Sequence, residues 1–260
     1  MSTTLIEAAL KRDRLTVGGA LAVLTLLAWG YTIYLGQAMD MSGGDMAMPQ
    51  MQAWSPGMFV FMFVMWAVMM VAMMLPSAAP MILTFAAVQR RRQAQGGAFV
   101  PTGVFIAGYL IVWSAFSLIA TSAQYGLERA ALVSPMMGKA APWLGAVLLI
   151  AAGLFQFAPL KNVCLDKCRT PLGFIMTEWR DGTRGALIMG LRHGAFCAGC
   201  CWALMALLFV GGVMNLLWVA FLALFVLIEK VVPAGGWLGR AGGVLLIAWG
   251  VWIIVRASVA

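Results

Sequence analysis

Seven long runs of apolar residues dominate this 260-residue sequence and restrict the chain to very few folds. A run of about 20 mostly apolar residues can cross the hydrocarbon layer of a membrane as an α-helix. Lipid offers no hydrogen-bond partner, so each crossing segment must satisfy its own backbone amides as a helix. The sequence therefore predicts an all-α, polytopic membrane helix bundle with about seven spanning helices. The predicted spans are 15–36, 57–79, 101–123, 142–159, 197–213, 214–232 and 241–258. The fifth is short, and it could also start near Ala186, which would bury the residues around 193–201 more deeply.

The composition argues against a soluble protein. Hydrophobic residues make up 63% of the chain and charged residues 10%, whereas soluble domains average about 45–50% and about 25%. The net charge of +8 comes from basic residues in short segments between the apolar runs, where they orient a membrane protein. The sequence shows no nucleic-acid-binding motif and no phosphate-binding glycine loop. The expected partner is therefore the lipid bilayer, and no nucleic-acid partner is expected.

Lysine and arginine residues predict the orientation of the spans. They cluster at the N-terminus, at 90–92, across 161–184 and across 230–240, and all these segments share one side if seven spans alternate. Basic residues favour the cytoplasmic side. We therefore expect a cytoplasmic N-terminus, an outside loop at 37–56 and a periplasmic C-terminus. The first run, 15–36, exceeds the about 7–15 residues of a signal-peptide core, which favours a retained signal anchor.

The predicted outside loop is rich in methionine. Methionine often fills gaps in an apolar core, but a polar loop that contains glycine has no core to fill. Thioether sulfur is a soft, uncharged ligand that selects Cu(I) over harder cations. We therefore divide the chain into a signal anchor with a Cu(I)-capturing loop, 1–56, and a metal-binding membrane domain, 57–260. The candidate loop ligands are Met39, Met41, Met46, Met48 and Met51.

The second apolar run carries a further series of methionines that begins at Met58 and recurs at spacings of 4, 3, 4 and 4. Such spacing places them on one face of a helix. They could pack a core or form a path for a metal ion, and both interpretations stay open. Pro76 and Pro80 are expected to kink or end this helix. The candidate path residues are Met62, Met65, Met69 and Met73.

All five cysteines and the only histidine lie in one segment, spaced Cys-x3-Cys and then His-x3-Cys-x2-Cys-Cys. Residues 160–196 are predicted to lie at the cytoplasmic membrane interface, where thiols stay reduced. Clustered thiols favour Cu(I), with zinc as the alternative metal, although free cysteines also occur as small buried apolar residues. The histidine fits a ligand or a packing residue equally well. The candidate ligands are Cys164, Cys168, His193, Cys197, Cys200 and Cys201.

The segments KNVCLDKCRTP and GLRHGAFCAGCCWALM, together with LLFVGGVMNLLW and LIEK, resemble an uncharacterised bacterial family of predicted metal-binding integral membrane proteins. Some members are labelled copper chaperones. The resemblance covers roughly 57–255 and includes WAVMMVAMMLPSAAPM. It implies metal binding and a location in a bacterial inner membrane. The methionine-rich loop lies outside it.

Three functions fit these features. The first is Cu(I) binding and transfer by a chaperone or transporter-like protein, with a periplasmic cuproprotein or another membrane subunit as the partner. The second is a membrane thiol–disulfide relay, although adjacent cysteines in a helix make a poor disulfide. The third is a structural or assembly subunit that holds a metal through its cysteines. The sequence contains no ATPase motif, so we do not expect an enzyme. Glu229 is the acidic residue that lies close to an apolar span, and we expect it to form an interfacial ion pair with the adjacent Lys230 rather than to carry protons.

The topology gives the first testable prediction. A reporter that is active only in the periplasm should give a signal when fused at Ala260 and none when fused at Gly96, because the basic segments hold the Gly96 side in the cytoplasm. Reporter activity in colonies measures this directly. The opposite pattern would contradict both the inside position of the cysteines and the outside position of the loop methionines.

Overall fold

The computed structural model describes residues 2–41, 54–96, 100–135, 138–232 and 235–259. Over these ranges the chain is helical and forms no extended strand, so the predicted all-α class is confirmed. The helices pack into a bundle around an apolar core. Their bounds are α1 Ser2–Met41, α2 Pro56–Ala94, α3 Thr102–Arg129, α4 Pro142–Phe155, α5 Pro159–Arg169, α6 Pro171–Glu178, α7 Gly182–Ala206, α8 Leu208–Gly211, α9 Leu216–Val231 and α10 Gly235–Val259.

Five helical segments in the described ranges are long and apolar enough to cross a membrane. They are Leu15–Gln37 of α1, all of α2, all of α3, α7 with α8, and most of α10. Helices α4 and α5 meet at 66° across a short break and would make a sixth span if they count as one. Helix α9 has only 16 residues, or about 24 Å of helix, which is short of the hydrocarbon thickness. A multi-pass membrane protein is confirmed, but the expected seven full-length spans become five or six by length.

Contacts at one end of the bundle show which helix ends meet there. Arg92 in the last turn of α2 pairs with Asp181, which directly precedes α7, at an Nη1–Oδ1 distance of 2.9 Å. Arg169 at the end of α5 donates from Nη2 to the carbonyl of Val232, just after α9, at 2.9 Å. We call this the basic end. It joins the end of α2 to the start of α7, while α5 and α9 end deeper in the bundle, at the level of Cys197, about 22 Å further along α7.

Contacts at the opposite end show that the helices alternate in direction. The indole Nε1 of Trp54, just before α2, donates to the Glu128 carboxylate near the end of α3 at 2.8 Å. The amide of Ala140, just before α4, donates to the carbonyl of Phe209 in α8 at 2.6 Å. Helices α2, α3, α4, α7 and α9 therefore run up and down in the predicted order. Which end faces the cytoplasm stays a prediction.

Helix α2 continues for 39 residues although Pro76 and Pro80 lie inside it, so of the two expected effects the prolines do not end the helix, and a kink stays a prediction. Proline is tolerated inside membrane helices when nearby groups interact with the backbone that it leaves exposed. The two missing amides free the carbonyls of Ala72 and Pro76. The carbonyl of Met74, which lies between them in sequence, accepts from the hydroxyl of Tyr109 on α3 at 3.1 Å and from the hydroxyl of Ser77 at 2.8 Å. These two hydroxyls support the helix beside its prolines.

Helix α7 begins at Gly182, so of the two expected starts of the fifth span, 197 is wrong and the one near Ala186 is close to the observed start. Its first turns pack against α3 at Gly108 and Gly190, where a Cβ on either glycine would overlap the backbone of the other helix. Small residues let membrane helices approach this closely, which compensates for the modest apolar content of the segment. Residues 182–196 of the predicted interfacial segment 160–196 therefore belong to α7, which leaves only α5 and α6 for an interfacial position.

Helix α1 runs to Met41, beyond the predicted span end at 36, so the first residues of the predicted outside loop, 37–41, are helical.

Two buried charges near the basic end form an ion pair that the sequence did not predict. The carboxylate of Glu229 on α9 pairs with the amine of Lys161 on α5, and the side-chain oxygen of Gln156 accepts from the same amine. The expectation that Glu229 pairs with Lys230 is wrong, because successive residues of a helix point about 100° apart. Glu229 thus faces α5 while Lys230 faces α2 and α7.

This ion pair gives the second prediction. Replacing Lys161 by Met should lower the free energy of unfolding in detergent by about 3–5 kcal/mol, because it leaves a buried carboxylate without its partner. The Lys161 and Glu229 side chains are only 2% and 3% exposed. Asp181→Asn is the control, since the Arg92–Asp181 pair is 43% and 80% exposed and should contribute at most about 1 kcal/mol. Equal effects of the two substitutions would contradict a structural role for the buried pair.

Candidate metal centre

One face of α7 carries the histidine and three of the cysteines. His193, Cys197 and Cys200 are separated by four and three residues, and Cys201 follows directly, so their side chains lie above one another along the helix. All four are at most 1% exposed. The face lies inside the bundle, at the level where α9 ends, rather than at a solvent-facing interface. The four side chains thus share one helix face, as their spacing indicates, and are enclosed by the bundle.

Helix α5 brings the other two cysteines to this face. It packs along α7. The thiol of Cys168 neighbours those of Cys197 and Cys200. The sulfur of Cys164 lies against Gly199, where an added Cβ would come within 2.9 Å of it. Glycine at this position therefore allows α5 to approach α7 closely.

A buried lysine lies in contact with the thiols. The Nζ of Lys230 on α9 is 2.9 Å from the Sγ of Cys197 and 3.3 Å from the Oγ of Ser77 on α2. An ammonium group only donates hydrogen bonds, so both contacts run from the lysine. A cation inside an apolar bundle is unfavourable unless an anion is close, and a Cys197 thiolate would be that anion. In the sequence, Lys230 stands out as one of two adjacent charged residues at the end of an apolar run. Its expected partner was Glu229, whereas the structure places it against Cys197 and Ser77.

Tyr109 and Met74 complete the surroundings of the thiols. Neither residue was a candidate site residue in the sequence analysis. The hydroxyl of Tyr109 is 3.2 Å from the Sγ of Cys197, and the Sδ of Met74 is 3.9 Å from the Sγ of Cys201. The thiols of Cys200 and Cys201 both donate to the carbonyl of Cys197, at 3.1 and 2.9 Å. Helices α2, α3, α5, α7 and α9 thus all reach this cluster. We call Cys168, Cys197, Cys200 and Cys201 the thiol cluster.

His193 lies in an aromatic enclosure one turn before Cys197. Its ring centroid is 6.0 Å from that of Phe105, 5.7 Å from Tyr109 and 5.5 Å from Phe174. Its buried Nδ1 has no hydrogen-bond partner in the described part of the protein. The ring is therefore held by stacking, which agrees with a packing residue, while the unpartnered nitrogen agrees with a ligand. Both predicted roles of His193, as a metal ligand and as a packing residue, therefore stay predictions.

The methionines predicted to lie on one face of α2 are inside the bundle. Each of the four candidate path residues is at most 4% exposed, and their neighbours Met70, Met74 and Met81 are also buried. Burial agrees with packing and does not by itself indicate a path. The side chains of all five loop candidates lie outside the described residues, although the backbones of two of them continue α1. The set comprises Met62, Met65, Met69 and Met73 on α2, and Met39, Met41, Met46, Met48 and Met51 in the loop.

The thiol cluster supplies soft donors, but they are not arranged as a finished metal site. Within the described ranges, no three histidine, cysteine, aspartate or glutamate side chains already surround one point as metal ligands. The thiols instead bond to the Cys197 carbonyl, to Lys230 and to one another. All five cysteines are free thiols. The chemistry of the donors suits a soft metal ion, provided that the thiols exchange these hydrogen bonds for bonds to the metal.

Comparison with known proteins gives one match. A family model described as PpoB2, copper chaperone, matches residues 63–253, which is more than half of the chain. The matched range contains every cysteine and the histidine but not the methionine-rich loop. Neither the curated proteins nor the solved structures include a significant match.

Proposed function

The chain belongs to the PpoB2 copper chaperone family, and we propose that it binds Cu(I) as cargo at its thiol cluster and passes it to a partner. The family assignment supports copper handling in general. The observation that carries the specific proposal is the gathering of four buried thiols from α5 and α7 around the amine of Lys230. The region that matches the family contains the whole of this cluster.

The donor set favours Cu(I) over harder cations. Thiolate and thioether sulfur are soft ligands that select Cu(I), whereas Mg²⁺, Ca²⁺ and Mn²⁺ prefer oxygen. Near the cluster, Glu229 is already paired with Lys161 and faces away from the thiols. Zinc shares the preference for thiolate and is the alternative metal. The cluster therefore narrows the cargo to copper or zinc by its chemistry, and the family supports copper.

The charge of Lys230 further supports a monovalent ion. A Cu(I) ion bound by two thiolates carries a net charge of minus one, which is unfavourable inside an apolar bundle. The buried ammonium group of Lys230, 2.9 Å from Cys197, would cancel this charge. The loaded site would then be neutral overall. This gives the lysine a reason to lie beside thiols rather than beside a carboxylate.

The methionine-rich loop would act as a first receiver of copper on the outer side. Thioethers bind Cu(I) without losing a proton and without forming disulfides in an oxidising compartment. Thiolates bind Cu(I) more tightly, so transfer from the loop to the thiol cluster would be favourable. In this proposal the protein lies in a bacterial inner membrane with the loop and C-terminus in the periplasm. Delivery to a periplasmic cuproprotein would need that partner or another membrane subunit, and the chain itself would catalyse no reaction.

A thiol–disulfide relay fits the structure less well. Relay chemistry requires an accessible thiolate close to a second cysteine. The cysteines are at most 9% exposed, and Cys200 and Cys201 are neighbours within the continuous helix α7. A cysteine-held metal that serves folding alone stays an alternative, and it predicts a metal that is never released.

The proposal is tested by Cu(I) affinity in purified protein under reducing conditions, measured with a competing Cu(I) chelator. A loop variant removes only thioethers, and because Leu and Met swaps usually cost less than about 1.5 kcal/mol, it should fold normally. It should lose the weaker binding and keep the tightest. A thiol variant should lose the tightest binding and keep the weaker. The loop variant replaces Met39, Met41, Met46, Met48 and Met51 by Leu, and the thiol variant replaces Cys197, Cys200 and Cys201 by Ser.

Two results would contradict the proposal. If the thiol variant keeps the tightest Cu(I) binding, the thiol cluster is not the site. If the loop variant binds as the parent does, the loop methionines do not capture copper. Matching elution profiles and helical content of the three proteins serve as the folding control.

A further inference from the structure

Helix α2 presents a second buried methionine face, whose members are not part of the series that begins at Met58. Met70, Met74 and Met81 are at most 1% exposed and are four and seven residues apart, so they share one side of the helix. Ser77, which contacts Lys230, lies on the same side. This side therefore faces the thiol cluster, whereas the members of the first methionine series are turned roughly 100–180° away from Met74 around the helix axis.

Met74 is the member of this face that contacts a thiol. Its Sδ is 3.9 Å from the Sγ of Cys201, and its side chain is fully buried. Its carbonyl accepts hydrogen bonds from Tyr109 at 3.1 Å and from Ser77 at 2.8 Å. Tyr109 also contacts Cys197, and Ser77 contacts Lys230. The groups that fix the backbone of Met74 are thus the groups that surround the cluster.

We infer that Met74 is a thioether ligand of the Cu(I) ion held by the thiol cluster, acting together with Cys201. This inference rests on the proposed function. A neutral thioether adds a soft donor without changing the charge that Lys230 balances. Zinc in proteins takes thiolate, imidazole or carboxylate ligands, so a thioether in the site favours Cu(I) over zinc. Met74 would therefore contribute to the choice of metal as well as to affinity.

Met73 provides a matched control. It is the adjacent residue, it is equally buried at 1% exposure, and it belongs to the first methionine series. Successive helix residues point about 100° apart, so its thioether points to a different side of α2. Replacing either residue by Leu removes one sulfur from the interior at similar cost to packing. Only Met74→Leu should affect the metal.

The experiment uses the full chain in detergent, with the loop methionines replaced by Leu so that only the membrane domain binds copper. Selenomethionine takes the place of the remaining methionines, and X-ray absorption at the copper edge records whether selenium is bonded to Cu(I). The inference predicts a copper–selenium signal in this protein and in Met73→Leu, and no such signal in Met74→Leu. The Met74→Leu protein should still bind Cu(I) through thiols, with about tenfold lower affinity by chelator competition.

The outcomes separate this inference from the proposed function. A protein that binds Cu(I) through sulfur but shows no selenium neighbour overturns the role of Met74 and leaves the thiol site intact. A selenium signal that persists in Met74→Leu or disappears in Met73→Leu also overturns it. Failure of the starting protein to bind Cu(I) at all overturns the proposed function together with the inference. Continued Cu(I) binding by Met74→Leu shows that this variant is folded.

Discussion

The requirement that every charge inside an apolar helix bundle has a partner governs how this protein is built. Among the residues whose burial the structure describes, three charged side chains are buried near the basic end. Lys161 and Glu229 satisfy each other across α5 and α9, and Lys230 lies against Cys197. The first pair holds α5 in place, and α5 carries Cys168 to the thiols of α7. The second contact makes the thiol cluster part of the charge balance of the bundle.

Much of the fold follows from apolar runs and basic segments, but the site depends on contacts between helices that a single sequence does not display. The segment before residue 197 has a modest apolar content, so its continuity with the fifth helix is hard to see in the sequence. Close packing at Gly190 against α3 compensates for that content. Adjacent Glu229 and Lys230 looked like one ion pair, yet helix geometry sends them to different neighbours. The grouping of the cysteines was predictable because spacing along α7 is local. The participation of Tyr109 depends on α3 meeting α7 and left no mark in the sequence.

The methionines of α2 likewise depend on contacts between helices that their spacing in the sequence does not reveal. Periodicity selected the longest regular series on α2, and that series is buried, but its spacing cannot tell which side of the helix meets the thiols. The contact between Met74 and Cys201 makes that distinction. In our proposal, copper handling in the membrane domain would therefore use sulfur from α2 as well as from α5 and α7. The loop would add capture on the outer side and lies outside the range shared with the family.

The central claim is that the thiol cluster, balanced by Lys230, holds copper. The most direct measurement is the metal content of protein purified without oxygen from copper-supplied cells, for the parent, for the thiol variant and for Lys230→Met. We expect stoichiometric copper in the parent, almost none in the thiol variant, and less copper in Lys230→Met than in the parent. Zinc in place of copper in the parent, or full copper retention after loss of Cys197, Cys200 and Cys201, would contradict it.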